Sequence, residues 1–147
     1  PIPVTMSTEH LLSVTIDFGN MEMSYDFKDT SKDNNYGWGD SFDGENNKLT
    51  ITNNSTCRVN FLLALNIDTE TYPCLEEFLF KIVDSNGDYI FHSPGTLNFQ
   101  LTYSEALDFY LKCETVYSPL TGMHNYNFNN AKICEITISL KPEWETL

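Results

Sequence analysis

The sequence predicts an all-β protein, an immunoglobulin-like antiparallel β-sandwich of about eight or nine strands with at most one short helical turn. Three observations carry that expectation. Apolar and polar residues alternate with period two through most of the chain, which sets every second side chain on one face of a strand. The alternating runs are short and separated by clusters of Asn, Asp, Gly and Ser, the turn chemistry of antiparallel sheets. Only two segments also fit a helical period, and both are brief.

Val14, Ile16 and Phe18 alternate with Ser13, Thr15 and Asp17, and then Met21, Met23, Tyr25 and Phe27 alternate with Glu22, Ser24 and Asp26. The apolar phase flips at Gly19-Asn20. A two-residue hairpin flips it by setting Phe18 against Met21, Ile16 against Met23 and Val14 against Tyr25. A bulge that moves one strand between sheets flips it equally well. Lys28 to Asn47, dense in Asp, Asn, Ser and Gly, reads as a long polar loop. Leu49 and Ile51 mark a strand, Asn53-Asn54-Ser55 a turn, and Val59, Phe61, Leu63, Leu65 and Ile67 a long strand whose other face carries Leu62 and Ala64, as a central strand would.

Pro73 stands where a first helical residue belongs, with Glu76 and Glu77 in the first turn, so a short helical turn is expected over about Pro73 to Phe78, passing into a strand through Ile82 and Val83. Asp84-Ser85-Asn86-Gly87-Asp88 is the strongest hairpin signal and leads into Tyr89, Ile90 and Phe91. Leu97, Phe99, Leu101 and Tyr103 form the next strand. Ser104 to Glu114 is the second segment with a competing helical reading, but its Phe, Tyr and alternating Lys and Glu favour a strand. Ile136, Ile138 and Leu140 close the pattern before Pro142.

At 147 residues with 41% hydrophobic and 14% aromatic content, residues 1–147 read as one domain able to bury a core of its own. Eight Lys+Arg against 21 Asp+Glu give a net charge of -13. Nucleic acid and anionic membrane are therefore not expected partners, since both are bound by clustered cations. No apolar run approaches the ~20 residues of a membrane-spanning helix, so no membrane insertion is expected of this segment.

The run SVTIDFGNMEMSYDF, then WGDSFDGENNKLTITNNSTCRVNFLLAL, then LNFQLTYSEALDFYLKC and the closing ICEITISL, resembles the immunoglobulin-like β-sandwich modules of secreted and cell-surface proteins of Gram-positive bacteria. YPCLEEFLFKIVDSNGDYI is similar, more loosely, to the TasA/camelysin family of exported matrix proteins. The resemblance implies an extracellular or cell-surface location and a function exerted by contact. Its motifs are strand and turn patterns, so the implied function is analogy of fold.

The four cysteines are separated by 16, 38 and 20 residues and contain no C-x-x-C pair, the spacing expected of zinc or thioredoxin-type sites. Cys57, Cys113 and Cys134 share the inward phase of their strands and are expected near one end of the sandwich, with Cys74 beyond the far end. Cys113 and Cys134 stand nearly opposite each other if the last two strands form a hairpin, which makes Cys113–Cys134 the expected disulfide. Read plainly, all four are reduced core residues behaving as small hydrophobes. His10, His92 and His124 show no metal-ligand spacing, and no G-x-S-x-G, Walker or G-x-G-x-x-G motif occurs. Asp84, Asn86 and Asp88 begin like a calcium loop, but Tyr89 stands where an EF-hand requires glycine. Asp33, Asp40, Asp43 and Glu45 match calcium on composition alone.

Tyr36 and Trp38, in a polar segment with Asp40 and Asp43, are the candidate ligand-binding residues: the rings can stack on a sugar while the carboxylates accept its hydroxyl protons. The 118–130 segment is a second place to look for a ligand, since loops on a rigid sandwich commonly carry binding. The overlapping sequons at Asn53 and Asn54 have meaning only in a glycosylating secretory pathway. The expected function is an exported bacterial surface, adhesion or matrix module, without cofactor and not an enzyme, which binds a host or bacterial surface protein or glycan non-covalently. The alternatives are a carbohydrate-binding module using its aromatic loops and an extracellular filament subunit whose edge strand accepts a strand from the next copy.

Overall fold

The computed structural model describes residues 2–3, 11–21, 25–27, 36–38, 44–115 and 131–146. Within them lie β1 (Val14–Phe18), β2 (Tyr25–Phe27), β3 (Tyr36–Trp38), β4 (Lys48–Asn53), β5 (Val59–Ile67), β6 (Phe78–Val83), β7 (Tyr89–His92), β8 (Gly95–Leu101), β9 (Ala106–Thr115) and β10 (Cys134–Pro142). Eight of these strands build an all-β sandwich: a five-stranded antiparallel sheet in the order β1-β4-β9-β6-β7 and a three-stranded one in the order β10-β5-β8. The remaining two, β2 and β3, form a separate ribbon.

The core follows from the period-two pattern of β5, the central strand of the smaller sheet. Val59, Phe61, Leu63, Leu65 and Ile67 are buried while the residues between them are half-buried or exposed. In register, Leu63 lies between Leu97 of β8 and Ile138 of β10. The opposing layer supplies Leu49 and Ile51 from β4, Phe80 and Ile82 from β6, and Phe109 and Leu111 from β9. An aromatic chain joins the layers: Phe61 stacks on Phe99 at 5.1 Å between ring centroids, and Phe99 meets Phe109 across the sandwich at 5.2 Å. Each such side chain taken from water contributes about 1.5–3 kcal/mol.

Where local chemistry is decisive the expected elements appear. Pro73–Glu77 forms a 3-10 turn that ends at the extended residue Phe78. The 84–88 hairpin joins β6 to β7, with Asp84 Oδ1 accepting the N–H groups of Asn86 and Asp88, both at 2.9 Å, and Gly87 at φ +83°. The segment with two readings, Ser104 to Glu114, is strand β9 from Ala106. Two further 3-10 turns, Gly44–Asn47 and Glu143–Thr146, make three among the described residues where at most one was expected.

Of the two readings of the phase flip at Gly19-Asn20, the two-residue hairpin is not seen among the described residues. β1 pairs with β4 instead, with Phe18 opposite Leu49 and Val14 opposite Asn53. Beyond Phe18 the chain stays on the same neighbour, with Gly19 N–H donating to the Lys48 carbonyl and Met21 N–H to the Asn46 carbonyl, each at 3.0 Å. The approach is so close that a Cβ at Gly19 would lie 2.1 Å from the Glu45 carbonyl oxygen, so only glycine fits. The chain then leads to β2, which pairs outside both large sheets.

From β4 onward most connections change sheet: β4 to β5, β5 to β6, β7 to β8, β8 to β9 and β9 to β10. Asn53 ties two of them together. It is wholly buried, and its side-chain amide donates to the carbonyls of Cys57 (2.9 Å) and Leu101 (2.8 Å) while Oδ1 accepts from Ser55 N–H at 2.8 Å. Its backbone exchanges bonds with Ser104 and Glu105 in the β8–β9 turn. Of the two sequon asparagines, Asn53 is thus internal and Asn54 exposed, with its amide on Thr15.

Two substitutions test this account. Leu63→Ala is expected to cost about 2–5 kcal/mol through lost transfer energy and the cavity left behind, read from the urea midpoint at constant m. Asn53→Ala, which strands two carbonyls and one N–H, is expected to cost about 3 kcal/mol or more, against less than about 1 kcal/mol for the exposed neighbour change Asn54→Ala. Similar losses for the two asparagines would remove Asn53 as the tie.

Candidate binding face

Tyr36 and Trp38 lie on a strand, which corrects the reading of Lys28 to Asn47 as one loop. Tyr-Gly-Trp is itself a period-two pattern, and β3 finds its partner in β2, with Tyr25 opposite Trp38, Asp26 opposite Gly37 and Phe27 opposite Tyr36. In an antiparallel pair directly opposed residues share a face, and so do residues two apart. The register therefore brings four aromatic positions together in one ribbon, Tyr25 level with Trp38 and Phe27 level with Tyr36. Two of these, Tyr25 and Phe27, escaped the choice of binding residues because their alternation reads first as core. The signal that finds them is the pair of aromatic-x-aromatic triplets, YDF and YGW, in one antiparallel register. Asp40 and Asp43 lie outside the described residues, as do Asp33 and the whole 118–130 segment.

The cysteines are arranged differently from expectation. β10 follows β9 in the chain but pairs with β5 in the other sheet, so the hairpin that would oppose Cys113 to Cys134 is absent. Cys113 stands opposite Phe80 of β6, and Cys134 opposite Ile67 of β5. All four cysteines are thiols in this structure. Their grouping is also reversed. Cys74, in the 3-10 turn between the end of β5 and the start of β6, shares an end of the sandwich with Cys113 and Cys134, while Cys57 precedes β5 at the opposite end.

At the end shared by three cysteines a cavity of about 420 Å³ opens where β5 leaves and β10 enters its sheet, lined by Asp68, Glu70, Lys132, Cys134 and Glu135 among others. Three of its charged groups have partners. Asp68 Oδ1 accepts the Thr71 N–H at 3.0 Å, a bond that holds its carboxyl below the ordinary range, and Lys132 pairs with Glu135 at 3.5 Å. Burial pushes the Cys134 thiol up to about 11 against the opposing pull of Lys132, so the sulfur is protonated at neutral pH and a poor nucleophile. With three carboxylates to one lysine the cavity repels anions. Among the described residues no group of three or more His, Cys, Asp or Glu is placed to hold a metal ion. Asp84, weighed above for calcium, spends its carboxylate oxygen on the hairpin turn.

The raised Cys134 value has a direct readout. A rise from 9.0 to about 11 leaves about a hundredfold less thiolate at pH 8, so iodoacetamide is expected to label Cys134 at least about tenfold more slowly in the folded chain than in urea. The proton is held more tightly by the folded state, so this group's contribution to stability is intact below pH 9.0 and is lost as pH rises toward about 11. Equal labelling rates in the two states would place the thiol in solvent.

Comparison with known proteins finds no family model, no curated protein and no solved structure that matches this chain.

Proposed function

We propose that this protein is a non-covalent binding module of a bacterial cell surface or extracellular matrix, an immunoglobulin-like sandwich that presents the β2–β3 ribbon as its contact face. The observation behind the reading is the ribbon's register, which puts Tyr25 level with Trp38 and Phe27 level with Tyr36 in a sheet that belongs to neither layer of the sandwich. Aromatic rings bring large contact area for few rotatable bonds, and they dominate the energetics of binding surfaces. A planar ring face also stacks on the apolar face of a sugar.

The charge of -13 narrows the partner. Polyanions are repelled, whereas a neutral glycan carries no such penalty and a basic protein surface is attracted. Glycan is the ligand class the ribbon favours, because its aromatic residues recur at two-residue spacing on both strands and so present successive stacking positions. The sandwich then serves as a rigid scaffold for a small binding element.

Trp38→Ala tests the reading. On a glycan array it is expected to abolish wild-type binding while leaving the melting temperature within about 2 °C, a shift that corresponds to about 0.6 kcal/mol in a domain of this size. A fall of many degrees would make Trp38 a structural residue. Wild-type protein that adheres to intact Gram-positive cells but to no arrayed glycan would assign the partner to surface protein instead.

A further inference from the structure

The three-stranded sheet ends laterally at β10, which among the described residues pairs only with β5. The edge is long and regular: nine residues, from Cys134 opposite Ile67 to Pro142 opposite Val59, run in unbroken register without a bulge. Such an edge is a template for another strand unless it is short, bulged or blocked by charge. β10 carries one acidic and one basic residue, Glu135 and Lys141, placed symmetrically about Ile138. Antiparallel pairing of the strand with itself, centred on Ile138, sets Glu135 against Lys141, Ile136 against Leu140 and Thr137 against Ser139. Each is a favourable cross-strand combination, and each occurs twice.

We propose that two copies of this chain join edge to edge through β10, across a two-fold axis at Ile138, to give a continuous six-stranded sheet. Two features argue for a second copy as the occupant. The strand is self-complementary in charge, so bodies of net charge -13 meet where their charges cancel in pairs. The core-facing row is also incomplete at this rim: Leu140 lies in register with Phe61 yet is 38% exposed, and the pairing brings the partner's Ile136 beside it. The Lys132–Glu135 pair within one chain is solvent-exposed on both sides and yields readily to a new partner. The contact is isologous and closes on itself, so it makes a dimer and does not propagate into a filament.

Charge exchange tests both the edge and the register. In sedimentation velocity the wild-type chain is expected to show reversible, concentration-dependent dimerisation. Glu135→Lys and Lys141→Glu each place like charges opposite one another twice, and each is expected to weaken the dimer about tenfold. The double variant restores all pairs and should dimerise as the wild type does. An equimolar mixture of the two single variants should form heterodimers, because each supplies the charge that the other needs. A wild-type chain that stays monomeric at every concentration overturns the proposal, as does a dimer indifferent to the single changes or a double variant that fails to recover.

Discussion

A buried amide is costly to leave without partners, and at one end of this sandwich that constraint converges on Asn53. The chain leaves β4 for β5 and leaves β8 for β9 by crossing between layers, and each crossing takes backbone groups out of a sheet ladder. Asn53 meets both crossings with one side chain, donating to Cys57 and Leu101 and accepting from Ser55, while its own backbone bonds to the β8–β9 turn. Because β4 and β9 are neighbours in one sheet and β5 and β8 in the other, these bonds set how the two layers align. An aliphatic residue of similar volume would bury as well and tie nothing.

Alignment set at that end is carried through the core by packing. β5 is flanked on both sides and turns its five inward residues to the other sheet, and Phe99 links Phe61 to Phe109 through ring contacts on both sides. The edges receive less cover. β1 shows the consequence: Phe18 lies in register with Leu49 and Phe109, both buried, yet is 69% exposed, because a three-stranded layer cannot roof a five-stranded one. At the start of β5 the Glu143 carboxylate draws the C-terminal turn onto the sheet, accepting from Gln100 at 2.6 Å and pairing with Arg58 at 3.7 Å.

The two surfaces singled out for interaction use different chemistry, and the sandwich lets them coexist. The ribbon is proposed to bind through aromatic rings, a contact whose energy depends little on ionic strength. The β10 edge offers backbone bonding groups with a balanced pair of charges, on a molecule otherwise dominated by carboxylates. Net negative charge then discourages contact except where a face is neutral or its charges cancel.

Much of the strand content was legible in the sequence because it rests on local rules. Period-two alternation marks β5, β8 and β10, the Asn86-Gly87 turn marks the β6–β7 hairpin, and Pro73 marks a turn in front of β6. Pairing was less legible, because a strand's pattern states that one face is apolar and leaves open which strand lies beside it. For that reason the sequence alone left Phe18 opposite Met21 as one of two readings and put Cys113 opposite Cys134, whereas the folded chain sets Phe18 opposite Leu49 and sends β9 and β10 to different sheets. The candidate binding face shows the same division. Tyr36 and Trp38 stand out by composition, but their union with Tyr25 and Phe27 appears only once β2 and β3 are paired. By itself the sequence determined that the chain is β, acidic and built around an alternating core; the tertiary structure alone decided which strands are neighbours, because adjacency is settled by the total apolar area two layers can bury together and by the partners their crossings find for buried polar groups.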